Sequence, residues 1–273
     1  MTLSRVGGQP RTYRNANLRP PLKWVGGKRW LVPVLRELWQ GHTDCRLVEP
    51  FVGGMAVALG LRPRKALLND INPHLINFYR WLKKGFVIEI ERTYLKEVYY
   101  QHRQCFNELI QDGREDSHKA AELFYYLNRT GYNGLCRFNK KGRYNVPFGR
   151  HVSVRCLEDL SSYASVLQGW RFKCADFESL SLRAGDFVYA DPPYDVKFTS
   201  YNAVEFGWEE QVRLAHWLAA HEGPVVASNQ ATGRILELYD DLGFNIKQHA
   251  GPRRISCTGD RKPAQEMLAT RGL

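Results

Sequence analysis

Residues 187–194 read Phe-Val-Tyr-Ala-Asp-Pro-Pro-Tyr. The apolar half predicts a buried strand, and the two prolines end it because proline cannot donate to a sheet ladder. Ligands of open α/β sheets bind beyond the carboxyl ends of the strands. The segment therefore predicts a site at the sheet edge, where Asp191 and Tyr194 stand on a stiff loop.

Apolar runs alternate with amphipathic segments on both sides of this loop, which predicts a mostly parallel sheet wound on both faces. Strands are predicted near residues 45–49, 65–70, 170–175, 186–190, 224–229, 244–248 and 265–269. Helices are predicted near residues 31–38, 55–61, 72–84, 88–111, 117–128, 208–221 and 232–239.

The composition is that of a globular protein with a basic surface. The chain has 273 residues, of which 44% are hydrophobic and 25% charged, so it can bury a core. A formal net charge of +11 suits a polyanionic partner, either nucleic acid or a membrane surface. None of the six cysteines forms a CxxC pair, which argues against a zinc finger or a redox site. With no signal peptide and no long apolar segment, we expect a cytoplasmic protein without a membrane partner.

Two glycine-rich turns in the first third of the chain predict a ligand site at helix starts. One lies between Trp24 and Lys28, and the other, at residues 49–54, follows a strand and precedes a helix. Glycine lets the backbone approach a ligand, and the free N–H groups of a helix start favour anions. Because the second turn lacks the GxGxxG spacing, we expect an adenosine ligand without a pyrophosphate.

Acidic residues end two of the predicted strands. Asp70 lies about 20 residues after the second turn, where such folds place a carboxylate on a ribose hydroxyl. Asp176 suits an adenine amino group, and Phe177 suits the adenine ring. The alternative for each acid is that it caps the helical turn that follows.

Residues 128–150, called the basic segment below, interleave arginines, lysines, asparagines and aromatic residues without an acid. The sequence Asn-Lys-Lys-Gly at 139–142 predicts a hairpin turn. A basic, aromatic β-ribbon fits a DNA groove, where arginine pairs with guanine. The alternative is a solvated hairpin whose aromatic residues pack on neighbouring helices.

Changes in composition divide the chain into four parts. Residues 1–17 form a basic flexible arm, which either follows phosphates or only aids solubility. Residues 18–84 form the first part of a catalytic domain, and residues 170–273 form its second part. Residues 85–169, which include the basic segment, are predicted as an inserted domain that contacts the polyanionic partner.

These motifs, in this order, resemble those of Dam-type DNA adenine-N6 methyltransferases of the α class. The resemblance spans about residues 20–269 and rests on residues 22–28, 49–54, 68–72, 128–150, 191–194 and 254–256. It implies a Rossmann-like, mostly parallel seven-stranded methyltransferase sheet with an inserted helical and β-hairpin DNA-recognition domain. The family often has glycine where this chain has Met55, so we expect a slightly different backbone approach there.

The resemblance implies S-adenosyl-L-methionine as donor, S-adenosyl-L-homocysteine as product, no metal, and double-stranded DNA as the partner of a monomer. The donor site is assigned to Trp24, Lys28, Phe51, Gly53, Asp70, Asp176, Phe177 and Asp191. DNA contact is assigned to Lys23, Tyr132, Asn133, Leu135, Arg137, Lys140, Lys141, Pro147 and His151. Within this set, Tyr132 matches an intercalating aromatic residue, Arg137 a guanine contact, and His151 a position where close relatives have tyrosine.

The expected chemistry follows from the target atom. Adenine N6 is a poor nucleophile because its lone pair is delocalised into the ring, and the duplex buries it, so the base must be flipped out. We expect Tyr194 to stack on the flipped adenine while the Asp191 carboxylate and the Pro192 carbonyl accept the two N6 hydrogens. The usual target of the family is GATC, and restriction-modification is one biological setting for it.

Two alternatives use the same fold. An RNA or protein amide methyltransferase typically has asparagine rather than aspartate before Pro-Pro-Tyr and lacks the basic segment. A DNA-binding regulator that has lost catalysis is disfavoured by the intact Lys28, Asp70, Asp191 and Tyr194.

Overall fold

The computed structural model describes residues 18–149, 159–195, 206–251 and 264–273. Its centre is a seven-stranded sheet, so the predicted α/β fold is confirmed. The predicted arm at 1–17 lies outside the described residues. The strands are β1 (Arg46–Glu49), β2 (Ala66–Asn69), β3 (Trp170–Lys173), β4 (Asp186–Ala190), β5 (Val225–Gln230), β6 (Asn245–Gly251) and β7 (Ala264–Arg271).

The strand order is β3-β2-β1-β4-β5-β7-β6. Strands β1 to β5 run parallel, and β7 lies antiparallel between β5 and β6. The carboxyl ends of the parallel strands therefore share one edge, which is where ligands of such sheets bind. Because Ala190 is opposite Ala227, Asp191 leaves the sheet beside Ser228, which continues in β5.

Eight α-helices surround the sheet in the described part of the chain. Helix α3 begins at Pro73, and the Asn72 side chain accepts hydrogen bonds from the N–H groups of His74 and Leu75. Asn72, and not Asp70, is therefore the cap of this helix. The helices are α1 (Val32–Trp39), α2 (Ala56–Leu61), α3 (Pro73–Gly85), α4 (Lys96–Gln111), α5 (His118–Thr130), α6 (Ser161–Val166), α7 (Trp208–Ala219) and α8 (Gly233–Asp241).

The helix predicted at residues 88–111 begins only at Lys96, so its first eight residues were predicted wrongly. The buried Glu122 carboxylate of α5 accepts hydrogen bonds from the backbone N–H groups of Glu89 and Ile90. These bonds tie the start of this stretch to α5, and the Tyr126 hydroxyl of α5 donates to the Thr93 carbonyl at 2.7 Å further along. Residues 86–95 therefore run along α5 in a non-helical conformation.

The core lies on both faces of the sheet. Helices α7 and α8 cover one face, while α1 and α3 pack on the other and α5 packs on α3. Phe78 of α3 and Tyr125 of α5 stack with ring centroids 5.3 Å apart and 3° between their planes. The residues inserted between β2 and β3 therefore extend the core of the sheet. No helix in the described ranges is long and apolar enough to cross a bilayer.

The basic segment forms two isolated antiparallel bridges rather than a regular β-ribbon. They join Gly131 to Phe148 and Phe138 to Tyr144. The side chain of Asn107 on α4 accepts from the Tyr144 N–H at 2.7 Å and donates to the Tyr144 carbonyl at 3.1 Å. This side chain takes the backbone groups that a longer strand ladder would have used. The predicted Asn-Lys-Lys-Gly turn is present, and Asn139 Oδ1 closes it.

Candidate active site

The loop after β4 is fixed from beneath by two buried amides. The Pro193 carbonyl accepts from Gln211 Nε2 at 2.7 Å, and Gln211 Oε1 accepts from Asn229 Nδ2 at 2.9 Å. Both side chains are fully buried, so a displaced loop would leave unsatisfied polar groups in the core. The position of Asp191 is therefore set by the scaffold of the sheet.

The Asp191 carboxylate uses one oxygen for contacts within the protein. Its Oδ1 lies 3.0 Å from the Lys28 ammonium and accepts from the Ser228 hydroxyl at 2.9 Å. Within the described ranges, no residue donates to Asp191 Oδ2 or to the Pro192 carbonyl. Both acceptors are therefore without a donor from the described residues, at the carboxyl end of β4, where Asp191 is 20% exposed and Pro192 is buried.

The ring of Tyr194 is anchored at its hydroxyl. The hydroxyl donates to Glu266 Oε2 at 2.7 Å. Burial, followed by the carboxylates of Asp191 and Glu266, raises the pKa of Tyr194 well above its usual range, so the hydroxyl stays protonated. The Lys28 ammonium lies 4.7 Å from the ring centroid. The ring, the ammonium and the two carboxylates form one compact cluster.

Lys28 was predicted in the donor site, and the structure brings it to the loop of Asp191. Its side chain is only 4% exposed, and its Nζ donates to the Gly26 carbonyl at 2.9 Å. A buried ammonium requires counter-charges, which Asp191 provides at 3.0 Å and Glu266 at 3.8 Å. The first glycine-rich turn thus reaches the loop after β4 through Lys28.

The second glycine-rich turn is joined to Asp70. The Gly53 N–H donates to Asp70 Oδ2 at 3.1 Å, and the Asn72 N–H donates to Oδ1 at 3.0 Å. Burial raises the pKa of Asp70 to about 6 in spite of these bonds. Trp24 packs on the same turn so closely that a Cβ at Gly53 would lie 2.9 Å from the indole nitrogen. Trp24, Gly53 and Asp70, all predicted donor-site residues, therefore form one group.

Met55 ends this turn in the left-handed region, with a φ of 61°. The conformation suits glycine, the residue that the related family often has there, and it costs other residues about 1–2 kcal/mol. The Met55 side chain is fully buried in the core. Its burial offsets the backbone strain, so the turn keeps the glycine-like conformation and the expected difference in backbone approach is small.

Glu49, at the end of β1, is a buried carboxyl group with an unsatisfied oxygen. It is 2% exposed, and its Oε1 has no hydrogen-bond partner among the residues that the structure describes. Burial, and to a smaller extent the nearby Asp191, raises the pKa of Glu49 well above its usual range. An ammonium or hydroxyl donor from a ligand would satisfy this oxygen, which fits the amino-acid part of S-adenosylmethionine.

Phe177 is more enclosed than the sequence predicts, whereas Asp176 is exposed but already bound to neighbouring residues. Asp176 accepts from the Glu178 N–H, as the alternative of a helical cap requires, and from two nitrogens of Arg213 at 3.0 and 2.8 Å. The hydrogen bonds from Arg213 are the main reason that the pKa of Asp176 is lowered. The Phe177 ring is 2% exposed, covered by Arg213 at 4.3 Å and by the half-buried Phe51 at 5.7 Å.

The residues predicted to contact DNA lie mostly at the surface of the basic segment. Tyr132 has 49% of its side chain exposed, and Arg137 is half-buried, with its Nε donating to Asn145 Oδ1 at 2.8 Å. His151 lies outside the described residues. The exposed members are Tyr132, Asn133, Lys140, Lys141 and Pro147, and the half-buried ones are Lys23, Leu135 and Arg137.

Lys23 joins the first glycine-rich turn to the basic segment. The buried Asn128 side chain accepts from the Lys23 N–H and donates to the Lys23 carbonyl, each at 2.8 Å. The Lys23 ammonium donates to the Arg129 carbonyl at 2.9 Å. Gly134 approaches so closely that a Cβ there would lie 2.4 Å from the Lys23 Cβ. Five residues along the chain then connect this contact to Lys28.

Comparison with known proteins agrees with this geometry. The sequence profile of the D12 class of N6 adenine-specific DNA methyltransferases matches residues 24–255. The chain belongs to this family. It is therefore an S-adenosylmethionine-dependent enzyme that methylates adenine N6 in DNA, and the predicted activity and donor are confirmed at this level.

Relatives of this methyltransferase occur in bacteria, archaea and phages. A DNA adenine methylase of Escherichia coli K12 is 37% identical over 91% of this chain and 93% of its own length. Type II methyltransferase M.MjaIII of Methanocaldococcus jannaschii is 33% identical over 90% and 95%. The DNA N-6-adenine-methyltransferase of Escherichia phage P1 is 35% identical over 89% of this chain, which spans 34% of that longer protein.

A solved structure found by comparison is that of magnesium protoporphyrin IX methyltransferase from Synechocystis PCC 6803 with bound S-adenosylmethionine. It has a TM-score of 0.36 and 12% sequence identity, over 97% of this chain and 86% of that one.

Sequence reasoning missed several residues that surround the methyltransferase site. Ser228 had a signal, since it follows the apolar run of β5 at the same sheet edge as Asp191. Glu266 had a weaker one, an acid directly before the apolar residues 267–269 of the final strand. Gln211 and Arg213 lie on α7, and their contacts with Pro193 and Asp176 arise only from the packing of that helix.

Proposed function

We propose that this methyltransferase flips an adenine out of duplex DNA, within GATC, and methylates its N6. The observation that carries the proposal is the pair of open acceptors, Asp191 Oδ2 and the Pro192 carbonyl, on the rigid loop of Tyr194. An amino group bound by two acceptors has both of its protons engaged, which is what the N6 of an extruded adenine requires.

The side chains around the loop supply positioning and charge. The Tyr194 ring stacks on the adenine, and Asp191 Oδ2 and the Pro192 carbonyl each accept one N6 hydrogen. Acceptors outside the ring plane draw N6 toward a tetrahedral geometry and free its lone pair for attack. Positive charge that develops on N6 is stabilised by the Asp191 carboxylate, which passes the released proton to solvent.

S-adenosylmethionine, when bound, supplies an electrophilic methyl group on a sulfonium. In this proposal Asp70 accepts from the ribose hydroxyls, and Glu49 Oε1 accepts from the ammonium of the amino-acid part. Phe51 is the half-buried aromatic residue of the group and is available to the adenine ring, whereas Phe177 supports it from beneath. Asp176 keeps lone pairs beyond those that Arg213 and the Glu178 N–H occupy.

The basic segment is the proposed reader of the target. Its exposed Tyr132 fills the gap that the flipped base leaves, and Arg137 exchanges Asn145 for a guanine edge. Lys140 and Lys141, both exposed, contact phosphates and contribute affinity for any sequence. GATC is the usual target of the Dam-type enzymes that the motifs resemble, and the name of the archaeal relative as a type II methyltransferase supports a restriction-modification setting.

A radiolabelled methyl-transfer assay tests the proposal. The substrates are a short duplex with one GATC site, the same duplex with GTAC in its place, and genomic DNA. We expect label in the GATC duplex and not in the GTAC duplex. Equal labelling of both duplexes would refute the target, and no label in any DNA would refute the activity. Sequencing of methylated adenines in the genomic DNA then gives the full recognition sequence.

Base flipping has a separate optical test. 2-Aminopurine in place of the target adenine fluoresces when it leaves the stack, and an aromatic neighbour quenches it again. We expect a bright complex with Tyr194→Ala and a dimmer one with the wild-type enzyme. Fluorescence as low as that of the free duplex in both complexes would refute extrusion of the base.

A further inference from the structure

Glu266 reaches the active site from a strand that is distant in sequence. Strand β7 lies antiparallel between β5 and β6, which sets Glu266 opposite Gln230, the last residue of β5. The side chain is 14% exposed. Its Oε2 accepts from the Tyr194 hydroxyl at 2.7 Å and lies 3.8 Å from the Lys28 ammonium. Glu266 thus touches two members of the site while contacting neither Asp191 nor the open acceptors.

The neighbouring strand leaves room for this carboxylate. A Cβ at Gly251 of β6 would lie 2.4 Å from Glu266 Oε1 and 2.6 Å from its carboxyl carbon. The φ of Gly251 is not positive, so its conformation would suit any residue. The absence of a side chain at 251 therefore serves the placement of Glu266.

Charge gives Glu266 a second effect on the site. Lys28 alone would neutralise Asp191, and its ammonium repels the positive charge that develops on N6. Glu266 brings the sum over Lys28, Asp191 and Glu266 to one negative charge. A fixed negative charge in a partly buried site stabilises a developing positive charge more strongly than it would in water.

We propose that Glu266 is a positioning residue of methyl transfer, which fixes the plane of the Tyr194 ring through its hydroxyl and balances the Lys28 ammonium beside Asp191. The inference rests on the proposed function, because Tyr194 and Asp191 are given their roles there. The final strand of the sheet then supplies this carboxylate, and the lack of a side chain at Gly251 leaves space for it.

Four variants test the proposal in single-turnover methyl transfer to the GATC duplex. Glu266→Ala removes both effects, Glu266→Gln keeps an acceptor for the Tyr194 hydroxyl without the charge, and Gly251→Ala displaces the carboxylate without altering it. Glu237→Gln, on the exposed face of α8, is the matched control for a lost charge. Dissociation constants for DNA and for S-adenosylmethionine, and the melting temperature, are measured for each.

We expect Glu266→Ala to lower the transfer rate about tenfold or more, with both dissociation constants within about threefold of wild type. Glu266→Gln should retain more activity than Glu266→Ala, and Gly251→Ala should fall below wild type. In a Tyr194→Phe background, which lacks the hydroxyl, Glu266→Ala should cost less than it does in the wild type. The control should keep the wild-type rate.

Glu266→Ala with the wild-type rate would overturn the proposal, as would an equal loss in the Tyr194→Phe background. A loss that appears only in the dissociation constants or the melting temperature would show a structural role instead. A wild-type enzyme that labels no DNA refutes the proposed function and not the placement of Glu266. In that case the quenching of 2-aminopurine fluorescence tests the role of Glu266 separately. Glu266→Ala should weaken this quenching if Glu266 holds the Tyr194 ring.

Discussion

Replacing Ser228 with alanine should slow methyl transfer while leaving DNA binding unchanged. The Ser228 hydroxyl donates to Asp191 Oδ1 at 2.9 Å, and the Tyr189 hydroxyl lies 2.9 Å from the same serine oxygen. Since the serine proton goes to the carboxylate, Tyr189 donates to Ser228. The chain Tyr189–Ser228–Asp191 therefore orients the carboxylate from behind, so that Oδ2 faces the site.

The expected size of the effect follows from these contacts. A hydrogen bond to a charged group contributes about 1.5–3 kcal/mol, which corresponds to a rate loss of roughly 10- to 150-fold. Asp191 is 20% exposed, and Lys28 still holds the same oxygen. We therefore expect the lower end, about tenfold. The variant also strands the buried Tyr189 hydroxyl, which costs about 1–3 kcal/mol of stability.

Single-turnover methyl transfer and thermal unfolding separate the two effects. Tyr189→Phe is the matched control, because it keeps the bond from Ser228 to Asp191 and should leave the rate within about threefold of wild type. Adding Tyr189→Phe to Ser228→Ala removes the stranded hydroxyl, so the double variant should be more stable than Ser228→Ala and equally slow. A wild-type rate in Ser228→Ala, at any stability, would refute the orienting role.

Three other outcomes are expected. Asp191→Ala should lower methyl transfer by about 10²- to 10³-fold with DNA binding intact, and full activity in that variant would exclude the mechanism. Arg137→Ala should relax discrimination at one base pair by about 1–3 kcal/mol. Lys141→Ala should instead weaken binding to all duplexes alike and reduce the slope of log affinity against log salt concentration by about 1. An unchanged sequence preference in Arg137→Ala would show that the basic segment does not read the target. Because Asp70 has a pKa of about 6 and a ribose hydroxyl favours the ionised form, affinity for S-adenosylmethionine should fall as the pH drops through about 6; calorimetric titration should find a smaller fall over this range in Asp70→Asn.

The sequence was sufficient for features set by local patterns. The apolar run of β4 and the prolines after it predict the position of Asp191, because a buried strand and its end depend on neighbouring residues. The turn at Gly53 and the acid at Asp70 also follow from the spacing between consecutive strands. The Gly53 N–H and Asp70 lie within a hydrogen bond of 3.1 Å because the carboxyl ends of neighbouring parallel strands meet at the same edge of the sheet.

The remaining features depend on partners far along the chain. Residues 88–95 carry no strong signal against a helix, and their backbone is bound by side chains of other helices, Glu122 and Tyr126 of α5 and His102 of α4. Arg213 covers Phe177 from α7, so the burial of that ring follows from helix packing. Glu266 enters the site because β7 inserts antiparallel beside β5, and alternation of strands and helices does not determine such an insertion.

The bonds between Asn128 and Lys23 bear on how the target specificity of such an enzyme can be changed. Suppose that only the basic segment is replaced by that of another enzyme. The new residue at 128 and the new residues around 134 would then have to pack against an unchanged Lys23. Any mismatch there would displace the backbone that leads, five residues later, to the Lys28 ammonium. If the basic segment reads the target as proposed, an exchange of specificity should therefore also change the catalytic rate. A successful exchange should include residues 20–28 together with the segment, and a library built on the segment alone should be rich in variants that bind DNA without methylating it.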